Sequence, residues 1–250
     1  GSLLPQVTFD PDVKTQIHIF DMAEEEPIRT YLAPPMFAYH HVNAFEDESS
    51  GNVVLDLLAY SDASNLNSPN GYLYMDNMKT QERRLKQVQE GQVWRLVMDL
   101  NKPHTSITPE KRVVVDEKTN LPWSLELPTV APHVLGKPYR YAYGYTGFYR
   151  GQRNGFMDWP ILKQDVAQNV RNGLWYEEYA YPGEPIFVAD PRGKNEDDGV
   201  LLSSVYDARR RENFLLVLDA TNMEELARAY TGGVGFPQSF HGKFFPTESN

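Results

Sequence analysis

Six histidines are the residues of this chain best suited to bind a metal or move a proton: His18, His40, His41, His104, His133 and His241. Cysteine is absent, which removes thiolate ligands, disulfides and a thiol nucleophile without fixing a redox compartment. His40 and His41 are adjacent in Tyr39-His40-His41-Val42-Asn43-Ala44-Phe45-Glu46-Asp47, and His241 lies in Phe240-His241-Gly242-Lys243-Phe244. Neutral imidazoles suit Fe(II) as ligands. On residue type alone, a His-His pair is structural by default. His104 and His133 each follow a proline and read as loop residues.

Four acidic groups invite the same question. Glu126 in Glu126-Leu127-Pro128 and Glu184 in Gly183-Glu184-Pro185 stand just before prolines, where a glutamate is by default solvated. A carboxylate beside a ligating imidazole, however, fixes its tautomer and raises its basicity. Glu46-Asp47-Glu48 and Glu196-Asp197-Asp198 look like oxygen-rich cation sites. They lack the glycine-centred spacing of a calcium loop, and read as turns with solvated charge.

Composition bounds the partners. Apolar residues make up 41% and charged residues 23% of 250, enough hydrophobic material for a sizeable core. A formal charge of -10 argues against nucleic acid, and Arg209-Arg210-Arg211 is too short a basic run to reverse that. The apolar run Phe214-Leu215-Leu216-Val217-Leu218 falls far short of the roughly 20 residues of a membrane helix, so the expectation is a soluble or peripheral chain. No Asn-x-Ser/Thr acceptor occurs. Gly1-Ser2 reads as an expression remnant or a processing product, with no signal peptide after it.

These side chains must be positioned by strands. Short stretches rich in β-branched and aromatic residues alternate with Gly, Pro, Asn and Asp clusters, which predicts an all-β fold. Strands are expected at Gln16–Phe20, Phe37–Phe45, Asn52–Tyr60, Gln92–Asp99, Lys111–Val115, Tyr139–Gly144, Gly173–Tyr179, Pro185–Ala189, Val200–Tyr206 and Asn213–Asp219. After Asp219 a turn and a short returning segment, Ala220–Ala229, give the strand pairing of a propeller blade. The polar stretch Lys79–Gln89 reads as a surface helix or a long loop. No fixed-period repeat is present, so pattern alone leaves sandwich, barrel and propeller open.

The His40-His41 segment resembles the His-His-x-Asn-Ala-Tyr/Phe-Glu stretch of the carotenoid cleavage oxygenases. Three further blocks resemble that family in its order. They are Leu125-Glu126-Leu127-Pro128 with Gly136-Lys137-Pro138-Tyr139-Arg140-Tyr141-Ala142-Tyr143-Gly144; Pro182-Gly183-Glu184-Pro185-Ile186-Phe187-Val188 with Glu196-Asp197-Asp198-Gly199-Val200-Leu201-Leu202-Ser203; and Phe240-His241-Gly242-Lys243-Phe244.

The resemblance implies that residues 1–250 are the C-terminal half of a seven-bladed β-propeller completed by an N-terminal half, a separate or processed chain included. It implies that His40 and His241 are two of four histidine ligands of an axial Fe(II), with Glu126 and Glu184 behind His40 and His241 respectively. His18 falls where the family has an ordinary strand residue. His41 is set aside because neighbouring strand residues point to opposite faces. A separation of roughly 200 residues between the two histidines suits an axial propeller site and no local motif.

The implied activity is dioxygenase cleavage of a conjugated double bond in a carotenoid or apocarotenoid, retinoids being a related substrate class, to carbonyl products. The alternative is a carotenoid-binding pigment protein on the same fold. Expected partners are the N-terminal half, the polyene, dioxygen and a membrane surface touched peripherally, with no nucleic acid. Expected location is cytoplasmic or peripheral to a membrane, secretion remaining open.

Overall fold

In the computed structural model the described residues are 8–21, 23, 27–64, 91–102, 105–115, 122–146, 159–235, 237 and 240–246. Lys79–Gln89, His104 and Gly1-Ser2 lie outside them. Their regular structure includes fifteen strands and one 3-10 turn, Pro132–Val134. The all-β expectation is therefore met. No helix among the described residues is long and apolar enough to cross a membrane.

The chain forms two compact units, Gly1–Val113 with Gly136–Pro138, and Val114–Leu135 with Tyr139–Asn250. In the first, β1 (Thr15–Phe20) and β2 (Pro27–Ala33) make an antiparallel hairpin. The strands β3 (Phe37–Asp47), β4 (Asn52–Tyr60), β5 (Gln92–Asp99) and β6 (Glu110–Arg112) form a four-stranded antiparallel meander. Hairpin and meander close on a core of Tyr31, Leu57, Trp94, Leu96, Met98 and Ile107, with Ile17 and Ile19 packed against it. Asp56 is buried on β4 and survives there because Arg95 on β5 holds it bidentately, at 2.9 and 2.7 Å.

In the second unit, β7 (Glu126–Thr129), β8 (Tyr141–Tyr145), β9 (Ile161–Asp165) and β10 (Val170–Trp175) form another four-stranded meander. A five-stranded sheet follows, from β11 (Ala180–Pro182), β12 (Ile186–Ala189), β13 (Gly199–Asp207), β14 (Glu212–Asp219) and β15 (Glu225–Tyr230). Short strands β11 and β12 both pair with β13, so they are two pieces of one edge strand. The two sheets share a core that includes Tyr143, Ile161, Trp175, Phe187, Phe214 and Leu216. Alternation on β13 sends Leu201, Ser203, Val205 and Asp207 inward, as a half-buried strand requires.

Expected and observed strands agree closely for β4 and β5 and within a few residues for most others. Strands β2, β7, β9 and β11 are additional, and the expected returning segment becomes β15. The run Lys111–Val115 shrinks to Glu110–Arg112.

The acidic turn departs from expectation in one respect. Glu196-Asp197-Asp198 forms a turn, and its carboxylates, partly exposed, are hydrogen-bonded as well. Glu196 accepts the backbone N–H groups of Arg140 (2.9 Å) and Tyr141 (2.7 Å). Asp197 accepts from Lys163 Nζ at 2.6 Å, and Lys163 is fully buried. That ammonium also donates to the Thr221 carbonyl at 2.7 Å and lies 4.2 Å from the Tyr141 ring centroid. A buried cation needs such a set of partners. Asp198 accepts the N–H groups of Lys194 and Asn195, which hold its carboxyl below the usual range.

Candidate metal site

His40 lies on β3 where the strand is irregular. Ala38 pairs with Ala59 and Asn43 with Asp56, so β3 carries more residues than β4 over the same length, with register shifts on both sides of His41. Such a bulge re-aims side chains and suspends strict alternation. The distinction between the two histidines thus rests on environment rather than on period: His40 is half-buried and lies against the Tyr39 ring, whereas His41 is exposed. Just beyond, the buried Asn43 side chain accepts the Gly136 N–H at 3.0 Å and donates to the Lys137 carbonyl at 3.2 Å. It pins the Gly136–Pro138 segment to β3. Asn43 is a positioning residue that motif matching displayed but did not explain; an asparagine with buried amide needs partners of this kind.

Glu126 opens β7, again at an irregularity: Glu126 pairs with Tyr145 and Thr129 with Tyr143, a register shift. Leu127 takes a positive φ of 46°, and its N–H donates to Glu126 Oε2 at 3.2 Å. Gly144 on β8 is required here, since a Cβ would fall 2.5 Å from the Glu126 carbonyl oxygen.

Glu184 occupies the break between β11 and β12. Pro185 has no N–H to give a ladder, so an edge strand interrupted at this point is where it can sit. Around the break, the Ser203 hydroxyl donates to the Gly183 carbonyl at 3.0 Å and the Gly183 N–H to the Ser204 carbonyl at 2.8 Å. The Glu184 carboxylate is therefore presented from a fixed backbone. Its Oε1 lies 3.1 Å from His241 Nδ1 and its Oε2 accepts the Gly242 N–H at 2.8 Å. Glu184 is 14% exposed and the His241 ring 54%. A carboxylate can only accept, so Nδ1 donates to it, and in the neutral ring the lone pair sits on Nε2. That donor is the type a divalent metal takes from histidine. Phe240 packs edge-on to the same ring, with centroids 4.7 Å apart.

The structure thus joins Glu184 to His241. His40 belongs to the first unit and Glu126 to the second. Among the described residues no group of three or more His, Asp or Glu side chains could hold a metal by itself. His133 sits in the 3-10 turn and His18 bonds Thr30 Oγ1 at 3.0 Å. One rule unites the candidate residues: His40, Glu126 and Glu184 all lie on or beside the first strand of a sheet, at a bulge or break.

The sequence matches the family described as retinal pigment epithelial membrane protein over residues 1–246. β,β-Carotene 15,15'-dioxygenase of Rattus norvegicus is 32% identical over 265 residues, covering 96% of this chain and 44% of the rat protein. The mitochondrial carotenoid-cleaving dioxygenase of Macaca fascicularis is also 32% identical, over 96% of this chain and 46% of that protein. Among solved structures, cobalt-substituted Synechocystis ACO superposes with a TM-score of 0.73 at 26% identity, over 96% of this chain and 46% of that one. The chain spans less than half the length of these relatives. Its meanders are part of the propeller fold those structures have. Agreement in sequence and in fold across nearly all its residues shows that the chain belongs to the retinal pigment epithelial membrane protein family of carotenoid oxygenases.

Proposed function

We propose that residues 1–250 are the C-terminal half of a propeller domain whose whole is an iron(II)-dependent dioxygenase. It cleaves a conjugated double bond of a carotenoid or apocarotenoid into two carbonyl products. The observation that carries this reading is the Glu184 carboxylate held against His241 Nδ1, the carboxylate–imidazole pairing that orients a histidine whose other ring nitrogen binds a metal. The relatives' names as carotenoid dioxygenases support the reaction class.

In this reading His40 and His241 supply two imidazoles, and the N-terminal half supplies the rest. Glu126 and Glu184 are positioning residues for His40 and His241. Iron, when bound, supplies the activation of dioxygen. This chain's residues hold the donors in place and keep their protons on Nδ1. Phe240 and Phe244, exposed on either side of His241, offer apolar surface to a polyene, and where apolar walls stop the polyene decides which bond is cut. No protein acid or base is required. Contact with a membrane surface gives access to a lipophilic substrate from a cytoplasmic location.

Iron analysis and product analysis on the full protein test the proposal. About one iron per protein and two carbonyl fragments from one polyene are expected. Iron-free protein that retains an intact polyene would overturn it in favour of a carotenoid-binding pigment protein.

A further inference from the structure

Opposite the break between β11 and β12, the second strand of the sheet carries two adjacent serines. Pro182 pairs with Val205 and Ile186 with Leu202. Gly183, Glu184 and Pro185 therefore stand against Ser203 and Ser204 alone, so the edge strand bulges by one residue. Proline has no N–H, and a regular ladder cannot run through this point.

Two bonds from β13 hold the bulge. The Ser204 carbonyl accepts the Gly183 N–H at 2.8 Å, as an ordinary antiparallel partner would. The Gly183 carbonyl is taken instead by a side chain, the Ser203 hydroxyl, at 3.0 Å. Ser203 is 2% exposed, so bulk water does not reach that bond. Its neighbour differs: Ser204 Oγ is buried and has no hydrogen-bond partner among the described residues. One hydroxyl of the pair holds the bulge and the other holds nothing.

From Gly183 the path to the terminal segment is short. The next residue is Glu184, whose two oxygens meet His241 Nδ1 and the Gly242 N–H. Gly242 also lies against β12, where a Cβ on it would come 3.5 Å from Ile186 Cδ1. The segment thus meets the edge strand on both sides of Pro185. Without Ser203 the Gly183–Glu184 peptide is free to turn, and the carboxylate turns with it.

We propose that Ser203 is a positioning residue: it sets the orientation of His241 through Gly183 and Glu184, and with it the affinity of the metal site. The proposal rests on the oxygenase reading above for the metal, and on the hydrogen bonds for the coupling. A group behind a ligating histidine tunes it, and Ser203 stands one step further back on a strand that cannot follow the edge. That strand, β13, is paired with β11, β12 and β14.

Variants of the two serines in the full protein test it, with two readouts. Ser203→Thr and Ser203→Val have nearly the same shape and differ in the hydroxyl, so crowding by the added methyl cancels between them. The Gly242 amide is expected to exchange with solvent roughly 3- to 10-fold faster in Ser203→Val than in Ser203→Thr, and Fe(II) affinity, by competition with a chelator, to fall by a similar factor, below the roughly 10- to 100-fold of a direct partner. Ser203→Ala, which crowds nothing, moves both readouts the same way. Ser204→Ala leaves both at their wild-type values. Equal Gly242 exchange in Ser203→Val and Ser203→Thr overturns the proposal, because the hydroxyl then only holds the sheet together. Faster exchange with unchanged Fe(II) affinity overturns it too, as does a matching loss in Ser204→Ala, which would place the effect in strand packing. Gly242 exchange needs no metal: wild-type protein that binds no Fe(II) overturns the oxygenase reading, while the exchange ratio judges the coupling separately.

Discussion

Oε1 of Glu184 lies 3.1 Å from Nδ1 of His241, while Oε2 takes the N–H of the next residue, Gly242, at 2.8 Å. Two oxygens of one carboxylate thus fix both the tautomer of the ring and the backbone that carries it. Because Glu184 comes from a broken edge strand with its neighbouring carbonyl tied to Ser203, the sheet takes part in orienting His241.

Glu184→Gln keeps the size of the side chain but not its charge. An amide group offers one acceptor where the carboxylate offers two, so either His241 Nδ1 or the Gly242 N–H loses its partner. Metal affinity of the full protein should fall roughly 10- to 100-fold. His241→Ala should fall further, since the donor itself is gone. Competition with a chelator of known affinity measures both, and equal affinity of wild type and Glu184→Gln would refute the positioning role.

Gly144→Ala places a methyl group 2.5 Å from the Glu126 carbonyl and 2.9 Å from Leu125 Cδ1. Neither strand can yield without disturbing the β7 irregularity. A loss of roughly 1–3 kcal/mol is expected from overpacking, read as a lowered urea midpoint. If Glu126 positions a ligand, metal affinity drops as well, whereas an overpacked strand elsewhere would change stability alone.

How much of this was legible beforehand follows from the side chains. Strands β4 and β5 are nearly continuous apolar runs bounded by Gly or Asp, and their ends could be read directly. Strand β9 could not: Lys163, Gln164 and Asp165 are all buried in Ile161-Leu162-Lys163-Gln164-Asp165, and each looks like a loop residue until its partners are known. Strand β15, Glu225-Leu226-Ala227-Arg228-Ala229-Tyr230, is largely exposed and lacks a strand period. At the site, residue types and motif order singled out His40, His241, Glu126 and Glu184. The bulges that mount them were invisible, because a bulge is a mismatch between two strands and no single segment records it.

Lys163 is fully buried and bonded to Asp197, itself only 12% exposed. Lys163→Met removes the cation and leaves the carboxylate without its counter-charge. A cost of roughly 3–5 kcal/mol is expected, by the general behaviour of broken buried pairs. The double variant Lys163→Met with Asp197→Asn should recover part of that loss, because no unpaired charge remains. Denaturant midpoints of the two variants check this, and identical midpoints would show that Asp197 finds water instead.

Acid should loosen the second unit through Glu225. Arg228 donates to both of its oxygens at 2.6 Å, which holds the carboxyl below its ordinary value of 4.5 although burial pushes the other way. Arg228 also bonds Glu177 at 2.6 Å, and its own affinity for protons is raised by these two carboxylates. A native carboxyl with a depressed pKa binds protons less readily than the unfolded chain does. Its contribution is therefore complete above the unfolded value and fades as pH falls through the native one. Glu225→Gln should cost roughly 1–2 kcal/mol at pH 7, as a hydrogen bond to a charged group does. The difference from wild type should shrink as the pH falls below the ordinary carboxyl value of 4.5 and through the lower native one. Urea midpoints of both proteins at pH 7, 5 and 3.5 measure it; a difference that stays constant across the series would place the effect in packing rather than in charge.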